Sequence, residues 1–170
     1  FTIENPIDFL DGIHTVLKDD GQLILAVPNA ENQIKVGDPG MFIYEHLFYF
    51  TKHSLNHILK LAKFEIIHIN TTRSDVYVTA KKSEDIYGNA TIKGKDLSLL
   101  KNYSNNLNKV IKSFNKHISK FDRVGFWGAC PTTINLIKMV DLDDYVIFDS
   151  DENKIGTIIS GLDVEVKKPT

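Results

Sequence analysis

Three adjacent residues, Tyr44-Glu45-His46, offer the most direct chemistry in the sequence. Imidazole titrates near neutrality, and a neighbouring carboxylate can fix its tautomer and raise its basicity. His46, flanked by Glu45, Tyr44 and Tyr49, is therefore suited to act as a general base. The same segment allows a plainer reading, in which His46 hydrogen-bonds a backbone carbonyl while Phe42, Leu47 and Phe50 fill core. A second group is the turn Gly125-Phe126-Trp127-Gly128-Ala129-Cys130-Pro131, followed by Asp149. Gly128 and Asp149 have the separation of a dinucleotide fingerprint, in which a glycine turn approaches a pyrophosphate and a later acid meets ribose hydroxyls. Cys130 stands where the second glycine belongs, and Pro131 removes an amide donor from the helix start. A tight strand-to-helix turn without ligand thus stands beside nucleotide contact through Gly128 and Asp149. Lys154-Ile155-Gly156 reads either as an anion-contacting loop or as a turn. His53 and His57, one helical turn apart, lack a third ligand, so no metal is expected.

The composition narrows what such residues can serve. Of 170 residues, 42% are apolar and 25% charged, the proportions of a folded globular chain. The formal charge is −2 with no block of one sign, which gives no footprint for nucleic acid or for an anionic membrane surface. The single cysteine, Cys130, closes no disulfide within the chain and fits a reducing compartment such as the cytoplasm. No apolar run approaches the ~18 residues of a membrane span. The chain starts at Phe1 and stops at Thr170 shortly after a strand-like run, and it reads as a piece of something longer.

Positioning these residues falls to an α/β arrangement. Asn5-Pro6 and the spacing of Ile7, Leu10, Ile13, Val16 and Leu17 predict a capped helix. Gln22 to Val27 is a nearly continuous apolar run, expected to be a central strand buried on both faces of a parallel sheet. Residues 28–40 are expected to form a polar functional loop. Thr51 predicts a cap for a helix through about Ala62, and residues 64–70 and 76–81 predict a β-hairpin. Residues 83–95 lose periodicity and mark a linker between a first domain, 1–82, and a second, 96–170. In the second, a long amphipathic helix opening at Asp96 precedes a β-α-β unit over 123–148 and a strand at 162–166, the pattern of a smaller Rossmann-like domain.

The stretch IENPIDFLDGIHTVLKDDGQLILAVPN resembles the later half of a class I methyltransferase domain dependent on S-adenosylmethionine (SAM). FIYEHLFYFT resembles a segment of the nucleotide-sugar C-methyltransferases of deoxysugar biosynthesis. RVGFWGACPTTINLI and VIFDSDENKIGTIISGLDVEV are similar to the C-terminal Rossmann-like domain of that family. The resemblance implies a partial methyltransferase sheet ending in a hairpin, then the smaller α/β domain. It also implies methyl transfer from SAM to the carbon next to the ketone of a nucleotide-linked deoxysugar. His46 would be the base, with Glu45 orienting it or touching the sugar and Tyr44 as the alternative. Asn29, Gly128, Asp149 and Lys154 would contact substrate. The glycine-rich SAM loop and the cysteine-rich zinc segment of the family are not in this sequence, so the chain alone is expected to be inactive, with the cofactor held mainly by an N-terminal part. Self-association of such a fragment through an open sheet edge is a further expectation. Two rival readings are a non-catalytic methyltransferase-like binding module and a dinucleotide-dependent oxidoreductase fragment built on residues 123–149.

Overall fold

Asn5 starts the first helix as its residue type requires. Its Oδ1 accepts the N–H groups of Ile7 and Asp8 at 3.1 and 3.3 Å, and α1 runs over Pro6–Val16. The computed structural model describes residues 3–84 and 95–169. Most of the linker expected at 83–95 lies outside the described residues. Two units organise the chain, Phe1–Lys35 with Tyr44–Asn102, and Val36–Ile43 with Tyr103–Thr170. Both are mixed α/β, each with its own sheet.

In the first unit, α1 is followed by β1 (Gln22–Pro28), α2 (Ala30–Val36), α3 (Lys52–Leu61), β2 (Phe64–Thr71) and β3 (Asp75–Lys82). Thr51 and Ser54 cap α3 reciprocally, each side chain taking the backbone N–H of the other. The sheet order is β1-β3-β2, and both pairings are antiparallel. β3 therefore returns between two strands that run in the same direction. One face of the sheet is packed: Leu23, Val27, Val76, Val78 and Ala80 meet Leu10 of α1, Leu55 and Leu59 of α3, and the fully buried Phe64.

This overturns two expectations for β1. It is an edge strand, not a central one, because β3 is its only partner among the described residues. It is also buried on one face only: Leu23 and Val27 point into the core, while Ile24 is 76% exposed. The apolar run was misleading because a strand free on one side can carry the same residues as a fully covered one. The expected loop at 28–40 also contains α2. Asn29 stands at its N-terminus, accepting the Asn32 N–H on its side chain and the Gln33 N–H on its carbonyl, and Gly37 follows its end at φ +66°.

The second unit takes α4 (Lys95–Ile118) from Tyr103 onward, then β4 (Val124–Trp127), α5 (Pro131–Met139), β5 (Tyr145–Phe148), β6 (Ile158–Ile159) and β7 (Val164–Lys167). β4, β5 and β7 are parallel, and the short β6 adds antiparallel to β7, giving the order β4-β5-β7-β6. Met41, Ile147 and Val166 are its most buried side chains, followed by Ile118 of α4 and Ile137 of α5. Leu100 on α4 and Phe121, three residues past its end, are exposed.

Residues 36–43, expected in the first domain, cluster with this second unit. The Tyr103 hydroxyl donates to the Asp38 carbonyl at 2.9 Å, and Asn135 Nδ2 donates to the Pro39 carbonyl at 3.2 Å. Phe42 lies edge-on to Tyr103, and Met41 is buried. The glycines permit this approach: a Cβ on Gly37 would lie 2.5 Å from the α4 backbone at Asn106, and one on Gly40 would collide with Thr132. Gly37→Ala should therefore destabilise the chain by about 1–3 kcal/mol. Gly12 lies inside α1 with nothing within 4 Å of a Cβ, and Gly12→Ala should stabilise by about 0.4–1 kcal/mol. Urea midpoints at constant slope measure both, and a neutral Gly37→Ala would show that the 36–43 segment is not held this closely.

Candidate functional site

Tyr44, Glu45 and His46 occupy the irregular segment that leads into α3, in the first unit. Tyr44 is 99% exposed and Glu45 is exposed, while His46 is half-buried and lies edge-on to Tyr49 with ring centroids 5.9 Å apart. Of the residues the plainer reading placed in core, Phe42 and Leu47 are 50% and 54% exposed. Phe50 alone of the three packs against the core cluster. The segment thus presents an imidazole, a carboxylate and phenols at a surface held by the capped start of α3. That set can remove a proton from a carbon or oxygen acid brought against it.

Asn29, also in the first unit, is 7% exposed and its amide is used inside the protein. Nδ2 donates to the Thr72 carbonyl at 2.8 Å and Oδ1 accepts the Asn32 N–H at 3.1 Å, while its own N–H reaches the Ser74 carbonyl. Asn32 Nδ2 donates to the Arg73 carbonyl, and Glu31 accepts the Lys52 N–H at 2.9 Å. Residues 29–32 therefore tie the end of β1 to the hairpin turn and to α3. The signal for them was in the sequence, an Asn cap and a following Gly37 bracketing Ala30 and Ile34 at one-turn spacing.

Gly128, Asp149 and Lys154 do come together, in the second unit. The Gly128 N–H donates to the Phe148 carbonyl at 2.7 Å, and Gly128 adopts φ +105°. Asp149 Oδ2 accepts the Ala129 N–H at 2.8 Å and the Lys154 ammonium at 3.0 Å, and Oδ1 accepts the Asp151 N–H at 2.9 Å. The fingerprint spacing is real, but the acid turns back onto the turn it follows. The Asp151 N–H, the Lys154 ammonium and the Ala129 N–H all favour the ionised form and hold the Asp149 carboxyl at about 2, below its ordinary 3.8. Lys154 is raised in return by its bond to Asp149. With three internal donors on Asp149 and the two leading amides of the turn already bonded, this group is a clasp between β4 and β5 rather than an open cradle for ribose or pyrophosphate.

Sequence reasoning missed an apolar recess of about 180 Å³ in the first unit, bounded by Phe9 and Leu10 of α1, Leu25 and Val27 of β1, Phe48, and Leu55 of α3. Phe48 and Phe50 stack beside it with centroids 6.2 Å apart. Its lining side chains are all apolar, which suits neither the charged amino-acid end nor the ribose of SAM, and it is smaller than the roughly 300–1,000 Å³ typical of ligand pockets. Among the described residues no group of three His, Cys, Asp or Glu is placed to hold a metal ion, His53 and His57 included. No helix of the described residues is long and apolar enough to cross a membrane.

Residues 2–69 match the family model of a methyltransferase domain, a span that runs from the start of α1 through most of β2 and takes in Tyr44, Glu45 and His46. No curated protein matches the chain.

The clasp predicts an acid response. A carboxyl held below its unfolded value adds stability above pH 3.8, and that stability is lost as pH falls through about 2. Carboxyl NMR titration should place the Asp149 midpoint near 2, and Lys154→Met should raise it only partway, because the Asp151 and Ala129 amides remain. A midpoint at the ordinary value in the wild-type chain would mean the clasp is open in solution.

Proposed function

We propose that this chain carries the proton-abstracting part of a SAM-dependent C-methyltransferase acting on a nucleotide-linked keto-deoxysugar. His46 takes the proton from the carbon next to the ketone. One observation carries the reading: within the span that matches a methyltransferase domain, a half-buried imidazole stands at the surface between an exposed carboxylate and exposed or half-buried phenols. Carbon methylation beside a ketone needs the carbon acid to lose its proton before the carbon can accept a methyl group. A neutral imidazole does this at ordinary pH, and the surrounding aromatic side chains do not.

In this mechanism the neutral His46 ring nitrogen takes the proton, and the C–H electron pair passes into the ketone as an enolate. Glu45, beside it and exposed, orients the imidazole or holds a sugar hydroxyl, and Tyr44 is the alternative base. SAM, the usual donor of such domains, supplies a methyl group activated by a sulfonium. The apolar recess beside β1 does not fit it, and the step assigned to this chain is proton removal alone. The clasp at Asp149 and the internal bonding of Asn29 make both structural supports in this reading rather than direct sugar contacts.

The non-catalytic reading draws on the same misfit of the apolar recess to SAM. The two are separated by assaying methyl transfer from SAM to a nucleotide-linked 4-keto sugar in a protein that joins this chain to a SAM-binding segment. His46→Gln should lower turnover by roughly 10²–10⁴ with SAM affinity nearly unchanged, and Glu45→Gln should cost less. Turnover unaffected by His46→Gln would remove the base assignment, and no turnover in the wild-type fusion would favour the binding module. The chain alone should give no measurable heat on titration with SAM; micromolar binding would place a cofactor site where none fits.

A further inference from the structure

β1 and β2 run in the same direction, because β3 pairs antiparallel with both. Their carboxyl ends, at Pro28 and Thr71, therefore lie at one end of the sheet, the end at which open α/β sheets meet their ligands. The hairpin turn after β2, Thr72-Arg73-Ser74, is held there at every carbonyl. Asn29 Nδ2 donates to the Thr72 carbonyl, Asn32 Nδ2 to the Arg73 carbonyl and the Asn29 N–H to the Ser74 carbonyl, each at 2.8 Å. The Thr72 N–H closes the turn on the Asp75 carbonyl, and the Asp75 N–H returns to Thr72 Oγ1. Three successive carbonyls of an exposed turn are thus fixed from within, and the Arg73 side chain is not used in fixing them.

Arg73 is exposed, and no carboxylate among the described residues lies within ion-pair distance of its guanidinium. The sequence has only one other arginine, Arg123, which pairs with Asp144 at 3.3 Å. The first turn of α2, which holds Arg73 through Asn32, also holds the start of α3 through Glu31, whose Oε1 accepts the Lys52 N–H. Lys52 itself is exposed and adds a second cation in no ion pair among the described residues. Tyr44, Glu45 and His46 lead into that start of α3. The elements that carry the imidazole and the arginine are therefore tied to adjacent residues, Glu31 and Asn32.

We propose that Arg73 is the contact for the diphosphate of the nucleotide-linked substrate. This rests on the substrate being nucleotide-linked, and it supplies what His46 does not, a permanent positive charge for the two phosphates. A guanidinium meets phosphate oxygens through two parallel N–H donors and stays charged at any working pH. Because the turn beneath it is already fixed, only the side chain loses freedom when the diphosphate binds. The diphosphate lies away from the carbon that gives up its proton. Arg73 therefore holds the substrate equally before and during proton transfer, which lowers KM and leaves kcat to His46.

Titration of the chain with inorganic pyrophosphate, followed at the Arg73 Nε–H signal by NMR, tests the contact without any turnover. The signal should shift saturably, and added salt should weaken the binding. Arg73→Gln keeps the turn carbonyls in place and should weaken pyrophosphate binding roughly 10–100-fold, while Arg123→Gln should leave it unchanged. In the fusion with a SAM-binding segment, Arg73→Gln should raise KM for the nucleotide-linked sugar by a similar factor with kcat nearly unchanged, the reverse of His46→Gln. An Arg73 signal that stays still up to about 10 mM pyrophosphate would overturn the assignment. Equal losses from Arg73→Gln and Arg123→Gln would do the same, by showing an adventitious ion only. Turnover indifferent to His46→Gln, with KM still raised by Arg73→Gln, would remove the base and leave the diphosphate contact standing.

Discussion

Two buried polar side chains follow the ends of two strands, and the arrangement around each depends on their being satisfied. Asn29 comes directly after β1 and Asp149 directly after β5, at 7% and 9% exposure. A buried amide or carboxylate without partners costs more than most single contacts return. Each therefore bends back onto neighbouring backbone: Asn29 onto the hairpin turn and the start of α2, Asp149 onto the Gly128-Ala129 turn and the Asp151 amide. In both units the sheet positions the residue, and the residue then fixes the loops at the strand ends. These are the places where α/β proteins ordinarily present their ligands. Here they are occupied by the protein itself, which leaves the segment at 44–46 and the Arg73 side chain as the exposed chemistry of the first unit.

Elements with local signals were legible in the sequence. The Asn5-Pro6 start of α1, the Thr51 cap of α3, the hairpin of β2 and β3, and the β-α-β order of β4, α5 and β5 all rest on capping, turn chemistry and period, which act over a few residues. The placement of β1 was not legible, because its covered and open faces carry equally apolar residues and only strand order separates Leu23 from Ile24. α2 was hidden by its length of seven residues and by polar side chains that suggest a loop. In the second unit, the separation of Gly128 and Asp149 was readable from spacing, but the reach of Lys154 to Asp149 was not. Nor was the use of that separation, because spacing brings a carboxylate near a turn without saying whether its oxygens face outward or close upon the amides.

The methyltransferase match and the geometry bear on different links of the chain from sequence to function. The match covers the span from α1 through most of β2 and supports a chemistry, methyl transfer. The geometry concerns which residues lie at the surface, and it places Tyr44 and Glu45 there with His46 half-buried beside them. General-base chemistry needs a titratable group that a substrate can reach, and exposure rather than residue type is what the structure adds to that requirement.

Residues 36–43 give the chain a particular dissection problem. Each unit is built from two stretches of sequence, so a cut at the polar segment near residue 85, the natural place by composition, does not separate them. A piece ending there would carry away the Gly37-Asp38-Pro39-Gly40 turn, removing the acceptors of Tyr103 and Asn135 from the unit left behind. The reverse piece would lack Met41, a buried side chain of this unit. Limited proteolysis after residue 82 would thus yield two fragments that remain associated, a nicked whole in place of two independent domains.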